Sequence, residues 1–178
     1  FFIDDKIDTG AMILSKETPI STTENAGELH DRLMDLGCET VVETLSLIEN
    51  GEVTTTIQTD SAEIKTAYKL NKENCKIDFS KSATEIYNLI RGLSPYPSAW
   101  CFIKDEENEW NVKIYETNLV LESHDFEIGS IITTKKEMKI ALENSFLEIK
   151  SIQFPGKKKM TASELLNGMT FSQDAKAL

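Results

Sequence analysis

The chain has 178 residues, 40 % of them hydrophobic, which is enough to bury the core of one domain or of two small ones. Its apolar runs fall short of the roughly 18–20 residues that cross a bilayer, and its three cysteines, Cys38, Cys75 and Cys101, lie too far apart in sequence to indicate a disulfide framework or a metal site. A formal net charge of −11 excludes general affinity for nucleic acid unless basic groups are concentrated locally. The apolar runs and the cysteines together predict a globular cytoplasmic protein without a membrane segment or a metal.

Two amphipathic helices are predicted within residues 1–51. Ser21 and Glu24 form an S-x-x-E capping box, and apolar residues then recur at helical spacing until Gly37 interrupts them. The same spacing returns over residues 41–48, which predicts a second helix. Together with extended-looking sequence before them, the helices are typical of an α/β domain.

The helical periodicity fades from residue 52 to residue 81, where Thr, Lys and Asn predominate, and this composition predicts a linker. A short helix follows, with Ser82 and Glu85 as a second capping box. It ends before Pro95-Tyr96-Pro97, because the two prolines force a turn.

After this turn the apolar period changes to two, which predicts β-strands. We expect short strands at residues 99–103, 110–115, 117–121, 128–134, 138–142 and 146–154. A last helix should begin at Thr161, which forms a third capping box with Glu164. Residues 82–178 are expected to form a small barrel of the OB type, since closing the sheet removes exposed edges.

Four separated segments resemble the methionyl-tRNA formyltransferase family. They are I-D-T-G at residues 7–10, A-G-E-L-H-D-R-L at 26–33, I-R-G-L-S-P-Y-P-S-A-W at 90–100 and P-G-K-K-K-M at 155–160. A fifth segment, residues 69–79, resembles the family's linker. The order and spacing of the segments cover nearly the whole chain, so we interpret it as a relative of these enzymes.

The resemblance implies α/β plus β architecture. Residues 1–51 would be the C-terminal remnant of a Rossmann-like formyltransferase domain, residues 52–81 a linker, and residues 82–178 an OB-like domain that binds tRNA. The implied reaction moves a formyl group from 10-formyltetrahydrofolate to the amino group of initiator methionyl-tRNA, a step of translation initiation. We expect a monomer without a bound metal. The chain opens inside an apolar segment, so it is expected to lack the upstream folate loop and Asn-His pair and to be inactive alone.

Asp8 is the residue that the resemblance assigns to catalysis. Formyl transfer needs a neutral amine, a stabilised oxyanion and a proton for the departing folate nitrogen. A carboxylate suits this chemistry, because it can orient and stabilise a protonated histidine or hold a water that relays protons. From the residues alone, Asp8-Thr9-Gly10 also fits a simple turn.

Three further residues are candidates for folate binding. Gly10 has no Cβ, so the backbone there would let a bound pterin approach closely. Asp4 and Asp5 fall in the segment that resembles the pterin-contacting loop of folate-dependent formyltransferases. The alternative to folate binding is that both aspartates are simply exposed to solvent.

Lys157, Lys158 and Lys159 stand between a proline-glycine turn and a helix cap in an otherwise acidic chain. Three adjacent ammonium groups make a compact phosphate contact, and the segment resembles the family's basic segment, so we predict contact with tRNA. A solvated face is the alternative. Arg91, just before the Pro-Tyr-Pro turn, either positions RNA or bonds local carbonyls.

The tryptophans and histidines are assigned structural or surface roles. Trp100 and Trp110 fall in predicted strands, where core packing is favoured over base stacking. His30 and His124 lie among polar residues and are expected at the surface.

Two other functions stay open. A sugar-nucleotide formyltransferase shares the D-x-G loop and a similar barrel, but it has no need of lysines that face tRNA. A stand-alone RNA-binding module would leave the first 51 residues without a partner for their apolar faces.

Overall fold

The computed structural model describes residues 1–5, 9–58 and 65–178. The chain divides into two compact units. The first comprises Phe1–Glu24 and Glu28–Lys69, and the second comprises Asn25–Gly27 and Leu70–Leu178. Helix α1 (Ala26–Glu49) lies almost entirely in the first unit, and seven strands lie in the second.

Helix α1 runs without interruption from Ala26 to Glu49. The prediction of two helices separated at Gly37 is therefore wrong. A glycine inside a helix costs only about 1 kcal/mol relative to alanine, which is too little to divide a helix of 24 residues. Ser21 N–H donates to Glu24 Oε1 at 2.6 Å as a capping box would, but the helix begins after both residues, so the contact shapes the preceding loop.

The loop before α1 is tied to the helix by an arginine. The Arg32 guanidinium donates to both carboxylate oxygens of Glu24, with Nη2 2.9 Å from Oε1, and also to the Pro19 carbonyl at 2.7 Å. Glu24 is only 9 % exposed. A buried carboxylate needs such a partner, because an unpaired charge would be costly to bury.

Gly37→Ala is expected to stabilise α1 by about 0.5–1 kcal/mol, since alanine is the better helix former. An added Cβ at this position would meet no atom within 4 Å. Urea denaturation followed by circular dichroism at 222 nm measures the change. Gly51→Ala is the matched control: it also has open space, but its φ of +70° strains an alanine, so it should destabilise instead. Equal effects from the two substitutions would contradict this account.

The second unit is built on one antiparallel sheet with two helices. Its strands are β1 (Ala99–Asp105), β2 (Asn108–Val120), β3 (Ile131–Thr133), β4 (Met138–Leu142), β5 (Ser145–Gln153), β6 (Met160–Thr161) and β7 (Lys176–Ala177). Its helices are α2 (Ala83–Leu93) and α3 (Ala162–Leu166). The capping boxes predicted at Ser82 and Thr161 are both present.

The sheet nearly closes on itself. Its strand order is β3-β4-β5-β2-β1-β7, with β6 paired to β5. Backbone hydrogen bonds from Ile131 N to Ala175 O at 3.0 Å and from Ala177 N to Gly129 O at 2.8 Å join the two ends of this order. The predicted small barrel is thus confirmed as a nearly closed sheet, in which few strand edges remain unpaired.

Only the run at 138–142 has the predicted bounds, and the largest differences concern β2 and β3. The runs at 110–115 and 117–121 are one long strand, β2, whose register against β5 shifts between Ile114 and Thr117. Such a bulge bends a strand without ending its pairing. The run at 128–134 contributes only the three residues of β3.

The core of the second unit lies between the sheet and α2. Alternate residues of β1 are buried, as are Ile86, Ile90 and Leu93 of the helix. Residues 70–81 also belong to this unit: Cys75, Ile77 and Phe79 are buried in the same core. The start of the second unit therefore falls earlier than the end of the linker predicted at residue 81.

The C-terminal segment is fixed to β1 by a buried carboxylate. Asp105, which is 8 % exposed, accepts hydrogen bonds from the backbone N–H and the hydroxyl of Ser172. This contact precedes β7, whose Ala177 pairs with Ile103 of β1. Asp105 thus positions the strand that closes the sheet.

Candidate functional site

Asp8, the residue assigned to catalysis by resemblance, lies outside the described residues. Its described neighbours belong to the first unit. Thr9 Oγ1 donates to the carboxylate of Asp4, 2.7 Å from Oδ1 and 2.9 Å from Oδ2, and Asp5 is exposed. Asp4 is therefore engaged within this segment, while Asp5 presents its carboxylate to solvent.

Gly10 is buried against the chain's own backbone. A Cβ on Gly10 would lie 1.5 Å from the carbonyl oxygen of Phe2, so no larger residue fits there. The Gly10 carbonyl accepts a hydrogen bond from Gln58 Nε2 at 2.7 Å, and Met12 and Thr56 exchange backbone hydrogen bonds beside it. Packing against Phe2 accounts for the glycine, and its contact with a pterin stays a prediction.

Lys157, Lys158 and Lys159 form an ordered turn between β5 and β6, which we call the basic turn. All three side chains are exposed. Gly156 adopts φ +72°, and Gln153 Nε2 donates to the Lys157 carbonyl at 2.8 Å. The turn thus presents three ammonium groups on a fixed backbone.

An aromatic ring and a carboxylate lie near the basic turn. Lys159 Nζ lies 5.1 Å from the centroid of the Tyr115 ring. The pKa of Glu164 is lowered by hydrogen bonds from Thr161, and the positive charge of Lys158 adds to this effect. This geometry suits a phosphate contact as well as a solvated face.

Arg91 lies in the last turn of α2. Its Nε donates to Asn88 Oδ1 at 2.7 Å, and its guanidinium lies 6.0 Å from the Tyr87 ring centroid. These contacts within one helix hold the side chain along α2. A role in RNA binding stays a prediction.

The second unit also contains a pocket that the sequence motifs did not indicate. It has a volume of about 530 Å³ and lies beside Trp100, with Tyr96 and Lys113 among its lining residues. Tyr96 belongs to the Pro-Tyr-Pro segment, which the sequence identified as a turn and as part of a segment that resembles the family, but not as a pocket. An aromatic residue held between two prolines is the one local signal that could have indicated this surface.

Cys101 is buried, and the two histidines differ in their surroundings. Burial raises the pKa of the Cys101 thiol to about 12, so it is not a thiolate nucleophile at neutral pH. His30 is exposed beside Asp31. His124 is half-buried and not simply at the surface: its Nε2 lies 2.9 Å from the Ser145 carbonyl, and its Nδ1 accepts from the Phe126 N–H.

Within residues 1–5, 9–58 and 65–178, no cluster of three or more His, Cys, Asp or Glu side chains could hold a metal ion. None of the helices in these ranges has the length and apolar character to span a membrane.

Comparison with known proteins gives a consistent family match. The model of the "Formyl transferase, C-terminal domain" family matches residues 69–170. A methionyl-tRNA formyltransferase of Flavobacterium johnsoniae is 64 % identical over 99 % of this chain and 56 % of its own length. That of Bacteroides thetaiotaomicron is 40 % identical over 99 % of this chain and 56 % of its own length. The chain thus spans little more than half the length of these relatives.

Solved structures share the fold. HypX from Aquifex aeolicus has a TM-score of 0.67 at 17 % identity, covering 96 % of this chain and 30 % of that protein. The sugar 3N-formyl transferase WlaRD has a TM-score of 0.58 at 24 % identity, covering 88 % of this chain and 53 % of that protein. At these identities the likeness concerns the fold alone.

Proposed function

Because the chain belongs to the formyl transferase family, whose C-terminal domain it contains, we propose that it acts as the C-terminal part of a methionyl-tRNA formyltransferase. The observation that carries this proposal is the 64 % identity to the Flavobacterium johnsoniae enzyme over 99 % of the chain. The match spans both units, so it includes the D-T-G segment as well as the barrel. The reaction itself would belong to the complete enzyme.

In this proposal the first unit is the end of a Rossmann-like catalytic domain. Helix α1 supports the idea, because none of its residues is buried within the described structure. Leu33, Val41 and Leu45 on this helix are 47 %, 59 % and 55 % exposed. An amphipathic helix normally covers its apolar stripe, so these residues fit a helix that packs inside a larger domain. The linker would then lie between this domain and Leu70.

The proposed reaction transfers the formyl group of 10-formyltetrahydrofolate, which supplies the carbon that the methionyl amine attacks. Asp8 would stabilise a protonated group near the reacting amine or hold a relaying water. Asp5 is exposed, so folate could approach its carboxylate directly. Asp4 would first have to release its hydrogen bond from Thr9.

The second unit would hold the tRNA. The basic turn supplies three cations on a fixed backbone in a chain of net charge −11, and concentrated positive charge is what a polyanion requires. Arg91 is a second candidate contact. We further propose that the enzyme is a cytoplasmic monomer acting in translation initiation.

A chimaera tests the proposed function. In this chimaera, the present chain replaces the matching segment of the Flavobacterium johnsoniae relative and is joined to that relative's upstream portion. The chimaera should form formylmethionyl-tRNA from 10-formyltetrahydrofolate and methionyl-tRNA. The unaltered relative is the positive control, and this chain alone should give no product. A chimaera that folds yet formylates only an amino-sugar nucleotide would support the sugar-nucleotide alternative, which a fold likeness at 24 % identity does not favour.

A further inference from the structure

The pocket beside Trp100 combines aromatic rings with ammonium groups. Tyr96 and Trp100 line it together with Leu70, Lys72, Asn111 and Lys113. These residues come from three separate stretches of the second unit. Its volume of about 530 Å³ falls within the range of roughly 300–1,000 Å³ typical of ligand pockets. We propose that this pocket binds one unpaired nucleotide of an RNA strand.

The Trp100 ring is held in a fixed orientation. Its Nε1–H donates to the Lys72 carbonyl at 2.7 Å, so the only polar group of the indole is satisfied. Phe102 meets the ring edge-on, with centroids 5.4 Å apart and an angle of 90° between the planes. Core residues pack against its partly buried side. A ring fixed in this way loses little conformational entropy when a base stacks on it.

Tyr96 supplies a second aromatic surface and is 86 % exposed. It stands between Pro95 and Pro97, whose rings fix the backbone on both sides. An exposed aromatic side chain on a restrained backbone has little structural role in the free protein. Its ring therefore gains most by covering a flat, apolar ligand such as a nucleobase.

The charges around the pocket select an anionic ligand. Lys72 and Lys113 line it, and Lys113 lies opposite Trp100 in the β1–β2 register. The ammonium groups of Lys72 and Lys76 lie over the Trp100 ring, 5.3 Å and 5.9 Å from its centroid, so a stacking base would take their place while they turn to its phosphates. Phosphates beside a stacked base would meet these cations, whereas an apolar peptide would desolvate them without compensation.

Asn111 adds the means to read a base edge. Its side chain lines the same pocket, and an amide both donates and accepts hydrogen bonds. Stacking, phosphate neutralisation and edge contacts together are the way in which proteins bind unpaired nucleotides. This inference rests on the proposed function, because that function makes RNA the natural ligand.

Fluorescence titration tests the pocket directly. The full chain carrying Trp110→Phe keeps Trp100 as its only tryptophan, so quenching reports stacking there. Methionyl-tRNA and a single-stranded hexaribonucleotide should both quench it, and an abasic hexamer should not. Tyr96→Ala should weaken binding about tenfold, from stacking worth roughly 1–3 kcal/mol per base, while Tyr96→Phe should restore the affinity.

A charge variant provides the second arm. Lys113→Gln should weaken binding and reduce the salt slope by about 0.7–0.9, as expected when one phosphate contact is lost. Lys104→Gln is the matched control, because Lys104 is exposed on β1, outside the pocket lining, opposite Glu109. It should leave both the affinity and the slope close to those of the parent protein.

The outcomes separate this inference from the proposed function. If the Tyr96 and Lys113 variants bind tRNA like the parent while loss of the basic turn weakens binding, the pocket inference is wrong and the function stands. Quenching by AMP but not by either RNA would identify a free-nucleotide site and contradict the inference. A parent chain that binds no RNA at all would overturn both.

Discussion

Replacing Asp8 by Asn in the complete enzyme is expected to slow formyl transfer by about 100-fold or more and to leave tRNA affinity unchanged. The amide has nearly the shape of the carboxylate, so folding should survive. It lacks the negative charge, however, and therefore can neither stabilise a protonated group nor accept a proton. Single-turnover kinetics in the chimaera at saturating methionyl-tRNA measure the chemical step separately from binding.

Asp35→Asn is the matched control for this prediction. Asp35 is an exposed aspartate on α1 of the same unit, so the same isosteric change there should alter formyl transfer far less. If Asp8→Asn turned over at the parental rate, Asp8 would be a turn residue and no more. An equal loss in both variants would point to the general electrostatics of the first unit.

Removing the basic turn is expected to change the salt dependence of tRNA binding. Each phosphate that a lysine neutralises releases condensed counterion and contributes about −0.7 to −0.9 to the slope of log affinity against log salt. Replacing Lys157, Lys158 and Lys159 by alanine should therefore make the slope shallower by roughly two to three units. Catalysis at saturating tRNA should change less, because these contacts are similar in the ground and transition states.

The control for the basic turn is another exposed lysine pair. Lys135 and Lys136 lie in the turn between β3 and β4, and their replacement by alanine changes the net charge in the same direction. If replacing this pair makes the salt slope shallower by as much per lysine as replacing the basic turn does, the effect comes from net charge. Superimposable slopes for the parent and the triple variant would assign the basic turn to a solvated face.

Local chemistry made parts of the fold predictable from sequence. The capping boxes at Ser82 and Thr161 depend on side chains three residues apart, so the sequence contains the whole motif. The division of α1 at Gly37 failed because helix length outweighs one unfavourable residue. Within the predicted linker, Cys75, Ile77 and Phe79 are buried at alternate positions, but the polar residues between them dominate the local composition.

The candidate sites also differ in how far the sequence could predict them. The basic turn is a run of adjacent residues, so its location was predictable, and only its ligand is open. The pocket beside Trp100 has only the weak local signal of Tyr96 between two prolines, since its lining residues come from three separate stretches, two of which meet through the pairing of β1 with β2. Periodicity therefore predicted Trp100 as a core residue. This describes the side of the ring that packs on the core, but it misses the side that lines the pocket.

The pairing of β7 with β1 has a consequence for synthesis on the ribosome. Ile103 pairs with Ala177, so β1 emerges from the exit tunnel long before the strand that covers its edge. During that interval the edge of β1 at Phe102 and Lys104, which the C-terminal residues later cover, is open to pairing with another nascent chain. Non-local pairing of this kind is also slow. Cells should therefore tolerate substitutions that weaken the Asp105–Ser172 contact poorly when translation is slow, because the edge then stays uncovered for longer, even where the purified barrel is stable.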